Sequence, residues 1–488
     1  LDSYPLTQYS MYGAVPLEEI LGRLRELRDA GKLDSVRMLL LTNCTFDGLT
    51  YAPETVMRAV LAIKPDMIFL WDEAWFAYAG FSPSLRGRTA MGAAKQLGET
   101  FRSDAYRRAF ETQAAGDPTP MPDPDLVRVR VYATQSTHKT LTSLRQGSMI
   151  HVRDEDFEKK TSAAFHEAYM THTSTSPNYQ IIASLDIGRR QVELEGYELV
   201  HRSIGLAMTL RERVNEHDLI RRYFSVLRPA DMIPSEYRPS GLQSYYDPAI
   251  GWQRMHSAWR TDEFTLDPTR VTLKIANTGL DGDTFRHLLM DEHDIQINKT
   301  SRNTALFMTN IGTSRGDIAY LVEVLARIAR DIDDRLAKES TAGRARHREK
   351  VESLLAAPPL PNFSRFHPAF KPGGDETTPE GDLRKAFFLA YDEAAVEFLP
   401  LDGSVTAALD SGREIVSAAF IIPYPPGFPI LVPGQVISRE ILAYLHAVDV
   451  KEIHGYEPEY GLRIFTEVAI DRAAAAHATN VVIGADHA

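Results

Sequence analysis

Residues Tyr132–Val152 read YATQSTHKTLTSLRQGSMIHV. The preceding LVRVRVYA (Leu126–Ala133) alternates toward a strand, and Ser148–Val152 is short and strand-like. A His-Lys pair therefore sits in a turn just beyond a strand end. Upstream, Val36–Leu41 is an apolar run, followed by TNCTFDGLTYAP (Thr42–Pro53), which is rich in turn formers. A helix is expected from Glu54 to Lys64, just after that proline. Met67–Trp71 is a second apolar run, bounded by Pro65 and Asp72. In LEEILGRLRELRD (residues 17–29), Leu17, Ile20, Leu21, Leu24 and Leu27 recur at helical spacing. Strands separated by helices imply an α/β fold with a mostly parallel, doubly wound sheet and helices on both faces. In such sheets ligands bind beyond the carboxyl ends of the strands.

At roughly 150 residues per domain, 488 residues make about two to four domains. With 44% hydrophobic and 25% charged residues, the composition is that of a globular chain. The net charge of −12 disfavours nucleic acid and anionic membranes as partners. The longer apolar runs, such as Met38–Leu41 and Ala418–Ile422, are too short to span a bilayer. One cysteine, Cys44, rules out an internal disulfide and fits a reducing compartment, so the cytoplasm is the expected location. Leu1 is not a start methionine, no signal peptide precedes it, and the chain is expected to be one piece of a longer product.

Further along, Gly188 to about Arg222 is helix-rich. Val271–Ala276 and Thr304–Thr309 are strand-like and flank a helix near Asp283–His293. A long amphipathic helix then covers roughly Gly316–Ala337. The charged stretch Glu339–Lys350 and the Pro/Gly-rich stretch Pro358–Gly381 together read as a domain boundary.

Three stretches carry the chemistry. Lys139 in a crevice can lose its charge by desolvation and attack an aldehyde, and Ser136, Thr137 and His138 add phosphate-binding donors. A solvated loop lysine is the plain alternative. Asp72 ends an apolar strand in FLWDEAWFAYAGFSP (Phe69–Pro83) and would face the same crevice. A buried carboxylate needs a partner, and a protonated pyridine nitrogen is one; a helix N-cap is the other reading. Ala74 is small enough to admit a flat ring. In HEAYMTHTSTSPNY (His166–Tyr179) a hydroxyl cluster from Thr171 to Ser176 either binds phosphate or caps the next helix. Neither a metal-ligand spacing nor a Gly-rich phosphate fingerprint is found. Cys44 reads as a small core residue, and Arg302 and Arg315 read as surface residues.

ATQSTHK, SMIHV, AYMTHTSTSP and YPPGFPILVPG, with TNCTFDGLTY (Thr42–Tyr51) and LDPTRVTL (Leu266–Leu273), resemble the bacterial ornithine/lysine/arginine decarboxylases, pyridoxal-phosphate enzymes of fold type I. The resemblance runs from about Ser10 to Tyr456. It implies residues 1–200 as a cofactor-binding large domain that begins partway through, and residues 201–357 as linker helices with a small α/β domain. Residues 358–382 would be a linker and 383–488 a C-terminal domain. It implies Lys139 as the Schiff-base lysine and Asp72 as the partner of the pyridine nitrogen. Ala74 would lie on one ring face and Trp75 beside the pocket. Ser136 and His138 would reach the phosphate, with His138 also assisting proton transfer. Ser174 would reach the phosphate of a neighbouring subunit, so a homodimer with shared sites is implied. The implied reaction is decarboxylation of arginine, lysine or ornithine to the amine and CO2, as in polyamine metabolism. Another fold type I enzyme, aminotransferase or lyase, and a non-catalytic regulatory relative are the alternatives.

Three departures from the family pattern stand out. In the family the amino-terminal wing, the Ser/Thr phosphate loop and the ring-stacking histidine precede the part matched here and are not assigned in this sequence, so either the numbering starts inside a longer protein or the cofactor site is incomplete. The Asp72–Lys139 interval is long, with the Pro-rich loop near Gly116 as the insertion. Asn298 in IQINKTSRN stands where lysine-specific relatives carry a glutamate, which leaves arginine at least as plausible; Asp262 or Glu263 could serve instead.

Overall fold

The structure is a computed structural model that describes residues 1–9, 11–113, 120–356, 365–371, 381–424, 429–447 and 452–475. Helix α1 (Leu17–Asp29) follows Pro16 and buries Ile20, Leu21 and Leu24, three positions of the apolar stripe. Strand β1 (Met38–Thr42) leads through the turn-rich segment to helix α2 (Pro53–Ile63). Its first residue is a proline, whose missing N–H costs nothing there. Strand β2 (Ile68–Asp72) follows, then helix α3 (Ala90–Phe101), whose Thr89 hydroxyl accepts from Gly92 N at 3.1 Å. Strand β3 (Arg130–Ser136) lies later than LVRVRVYA suggests; it runs straight into the single turn α4 (Thr137–Thr140), and β4 (Ser148–Asp154) follows.

These four strands form one sheet in the order β1-β2-β3-β4. The first three are parallel, with Thr42 beside Asp72 and Asp72 beside Thr134. Strand β4 is antiparallel to β3, with Ser136 opposite Ser148. The interval between them holds one helical turn, too short for the crossover of a dozen or more residues that a parallel return needs. Of the Pro-rich loop near Gly116, residues 114–119 lie outside the described residues.

Helix α5 (Ser162–His172) buries no side chain. Helix α6 (Tyr179–Glu216) then starts nine residues before the helix-rich segment read from the sequence, because Asn178 caps it by accepting from Gln180 N at 2.9 Å. A second sheet is antiparallel throughout. It joins β5 (Ser225–Val226), β6 (Arg270–Lys274), β7 (Lys299–Thr300) and β8 (Thr304–Met308) in the order β7-β8-β6-β5. Helices α7 (Gly282–His293) and α8 (Arg315–Lys338) lie in the same part of the chain, and Phe285, Leu289, Leu321, Val324 and Leu325 share its core. Most of the charged stretch Glu339–Lys350 is helical, in α9 (Thr341–Leu355). Its Lys, Arg and Glu residues favour helix, and it buries only Gly343 and Leu354, so charge and regular structure coexist there. Residues 366–473 build two further cores, one around Ile421, Leu431 and Ile464, the other around Phe370 and Phe465. Residues 425–428 of PYPPGFPILVPG and the terminal residues 476–488 lie outside the described set. No helix among the described residues is long and apolar enough to cross a membrane.

Candidate active site

The parallel strands end on one side, and their carboxyl ends open into a cavity of about 820 Å³. Asp72, Ala74, Trp75 and Lys139 line it together. Asp72 is there because β2 ends on it, and Lys139 because β3 passes directly into the turn α4. Asp72 Oδ1 also accepts from Ala74 N at 3.0 Å, which fixes the turn after β2; Asp72 caps no helix, since the next helical turn begins at Ala77.

Lys139 is half-buried, and its Nζ stands 4.3 Å from the centroid of the Trp75 ring. Burial lowers its proton affinity; the Asp72 charge opposes this and the Arg270 guanidinium adds to it. The amine is thereby eased toward its neutral, nucleophilic form. Arg270 also approaches Trp75, with Cζ 4.6 Å from the centroid, and Phe46 meets the same ring edge-on at 5.5 Å. Trp75 is thus held by one aromatic and two cations.

Ser136, His138 and Ser174 do not line the cavity. His138 Nδ1 lies 2.9 Å from Gly147 O; a carbonyl only accepts, so the ring proton sits on Nδ1. Ser174 is exposed in the turn after α5, where its Oγ accepts from Ser176 N at 3.0 Å. Asn298 Nδ2 faces Met308 Sδ at 4.0 Å, away from the cavity lining. Asp262 is tied to Ser240, and Glu263 accepts from Leu17 N at 2.7 Å, so both are engaged in structure. Cys44 is buried beside Asp267, and burial pushes its thiol up, consistent with a core residue. Arg302 binds the Ser353 carbonyl at the surface.

Several polar residues of the site escaped the sequence reading. Lys299 Nζ contacts both Asp47 carboxylate oxygens at 2.8 Å, and both side chains are at least nine-tenths buried. Asp47 lines the cavity, so this pair ties its rim to strand β7. Lys299 directly follows Asn298, but nothing local to either residue announces the pairing. Lys299→Met leaves Asp47 buried and unpaired, and the expected cost is about 3 kcal/mol of unfolding free energy. Urea denaturation measures it, and a loss below about 0.5 kcal/mol, as for an exposed pair, would contradict the burial. Glu73 and its partners were missed as well; the acidic pair Asp72-Glu73 at a strand end was the available signal. From the C-terminal part, Pro429, Ile430, Val432 and Gln435 complete the cavity wall.

The fold is that of fold type I pyridoxal-phosphate proteins, and the site's side chains can be tested against that group. The residues present would fit that group: an amine of lowered proton affinity, a carboxylate able to face a ring nitrogen, and an alanine small enough to admit a flat ring. Beside Lys139, the hydroxyls of Thr137 and Thr140 are buried without a hydrogen-bond partner. The profile of the Orn/Lys/Arg decarboxylase major domain matches residues 117–317, and that of the family's C-terminal domain matches residues 392–461, between them more than half of the chain. The chain belongs to the Orn/Lys/Arg decarboxylase family. It is 28% identical to the lysine decarboxylase LdcA of Pseudomonas aeruginosa over 90% of this chain and 57% of that protein. It is 26% identical to the constitutive lysine decarboxylase of Escherichia coli K12 over 82% and 52%. The chain therefore spans little more than half the length of these relatives. The solved structure of lysine decarboxylase A from Pseudomonas aeruginosa superposes with a TM-score of 0.61 at 22% identity, covering 94% of this chain and 62% of that one. The Francisella novicida lysine decarboxylase LdcF gives 0.58 at 21%, with the same coverage.

Proposed function

We propose that the chain carries the catalytic centre of a decarboxylase acting on arginine, lysine or ornithine, with Lys139, Asp72 and His138 as its working groups. The observation that supports this most is the meeting of Lys139 and Asp72 in one cavity at the carboxyl ends of adjacent parallel strands. When bound, pyridoxal phosphate supplies an aldehyde to capture an amine and a ring that takes up the electrons released with CO2. Lys139 Nζ, its proton affinity lowered by partial burial, is the amine that would hold the cofactor and give way to the substrate. Asp72 supplies the negative charge that keeps the ring nitrogen protonated, an electrostatic role already fixed before reaction. Ala74 leaves room for the ring, and Trp75 walls the pocket. Lys139 Nζ, once displaced by the substrate amine and carrying the proton taken up in that exchange, would be placed to pass it to the substrate carbon; His138, with its proton on Nδ1, leaves Nε2 to take up or relay one.

Ser136 is the last residue of β3 and His138 lies two residues beyond it, and both are assigned to the phosphate together with Ser174 of a second copy. The exposed apolar side chains of Tyr169, Met170, Tyr179 and Ile187 on α5 and α6 support a homodimer that covers them. Asn298, an amide in place of the expected glutamate, favours arginine no less than lysine. The proposed setting is the cytoplasm.

The complete gene product, loaded with pyridoxal phosphate, is to be assayed with each of the three amino acids for CO2 and for agmatine, cadaverine or putrescine. One of the three is expected to give stoichiometric amine. Cofactor binding at Lys139 with no amine from any of them would refute the reading.

A further inference from the structure

Glu73 follows Asp72 at the end of β2 and is wholly buried. Its carboxylate accepts from Asn43 Nδ2 at 3.0 Å, Ala90 N at 2.7 Å and Gln135 Nε2 at 3.0 Å. These donors come from the segment after β1, the first turn of α3, and β3, so one side chain ties together three elements around the strand ends. All three donors are neutral, and among the described residues no cation pairs with Glu73. Arg88, whose backbone carbonyl also accepts from Asn43, turns its guanidinium to the carbonyls of Tyr51, Ala258, Trp259, Asp262 and Glu263. The charged or titratable groups facing Glu73 are Asp72 on its own strand, Cys44 beside Asn43, and His151 of β4, which reaches it through Gln135. A buried carboxylate beside a second carboxylate, with no counter-ion, is costly to ionise. Burial pushes Glu73 up to about 7, against its three hydrogen bonds and with the Asp72 charge adding.

Gln135 completes the arrangement. Its Nε2 donates to Glu73, and its Oε1 lies 3.1 Å from His151 Nε2. We propose that Glu73 is a positioning residue for Asp72 that works in its protonated form, and that the Gln135 amide couples its proton to the tautomer of His151. In the ionised state, Gln135 donates to Glu73 and accepts from His151 Nε2–H. When Glu73 takes a proton from solvent, its O–H must find an acceptor. The amide turns over, Oε1 accepts from Glu73, and Nε2 donates to the His151 Nε2 lone pair. His151 then carries its own proton on Nδ1. One proton enters at Glu73, and the imidazole changes tautomer without changing charge. With Glu73 neutral, Asp72 is the single anion at the end of β2, and its charge is directed at the cavity.

This inference rests on Asp72 as the partner of the ring nitrogen, but its test begins on the full chain without cofactor. Infrared spectra of the chain labelled at its glutamate carboxyls are expected to show the carbonyl stretch of a buried protonated acid, lost with a midpoint near pH 7 and absent from Glu73→Gln. The sign for stability follows. A proton held more tightly in the folded chain favours folding at low pH, and that advantage is lost as pH rises through about 7. The melting temperature of Glu73→Gln should therefore gain on that of the wild type from pH 5 to about 8. His151→Phe, which removes the far partner of Gln135, should move the infrared midpoint, and it serves even where Glu73→Gln fails to fold. In the loaded enzyme, Glu73→Gln should flatten the fall of kcat through neutral pH, whereas Glu73→Ala should lower kcat about 10-fold or more at every pH. A purely structural role would lower both variants alike with unchanged pH profiles. A wild-type chain whose acid bands are all gone by about pH 5, with variants that melt in parallel to it, overturns the proposal. A chain that shows the band but decarboxylates nothing supports the proton on Glu73 and overturns only the functional reading.

Discussion

Lys139→Ala should abolish turnover and the visible absorbance of bound cofactor, while the chain stays folded. The turn α4 is the single helical turn between β3 and the loop to β4, and alanine is well suited to it. Lys139 makes its recorded contacts with the Trp75 ring and the Asp72 charge, not with the core, so truncation removes an amine rather than a support. Two functions vanish together: the covalent hold on the cofactor and the proton returned to the product carbon. General acid–base work alone is worth about 10²–10⁴-fold, and loss of the covalent hold adds to it. Absorbance spectra, borohydride reduction followed by peptide mapping, and amine release measure the outcome. An active, yellow Lys139→Ala protein would remove the assignment.

Asp72→Asn should keep the fold and lose about 10³-fold in rate, roughly 4 kcal/mol of transition-state stabilisation. Asparagine is isosteric, and its Oδ1 can still accept from Ala74 N, so the turn after β2 survives. What goes is the charge. A neutral amide cannot keep a pyridine nitrogen protonated, and the ring then withdraws electrons weakly. A second consequence has a definite sign. The Asp72 charge raises the proton affinity of Lys139, so without it the Lys139 amine should titrate at lower pH in the cofactor-free chain. Turnover, thermal unfolding and the pH dependence of Lys139 reactivity toward an amine-directed reagent separate these effects. Near-normal turnover with the cofactor bound would count against Asp72.

Much of the large sheet was legible because local patterns carry it. Leu17–Asp29 is helical where its leucines repeat, and Pro53 starts α2 where a proline must. The Met67–Trp71 run became β2, shifted by one residue to end on Asp72 itself. The third strand was harder. Its alternation begins at Leu126, but the ladder to β2 begins only at Val131, since pairing depends on where the neighbouring strand lies. Within the site, Asp72 and Lys139 stood out at strand ends and Ala74 by its small size, while Trp75 came from the family resemblance; all four line the cavity. His138 and Ser136 were grouped with them by adjacency, yet the single turn of α4 rotates His138 toward Gly147. Helical residues one apart do not share a face.

The order of strands and helices, the positions of the lysine and the acid, and the family pattern were all present in the sequence. Periodicity, prolines and caps act within a few residues, so they can be read along the chain. The direction of β4 was set by the length of its connection. The burial of Glu73 against Asn43 and Gln135, the joining of Lys299 to Asp47, and the C-terminal wall of Val432 and Gln435 were decided only by packing. Those partners lie tens to hundreds of residues apart. Whether a polar group there finds water, a donor or a counter-ion depends on which surfaces meet, and no local repeat records that.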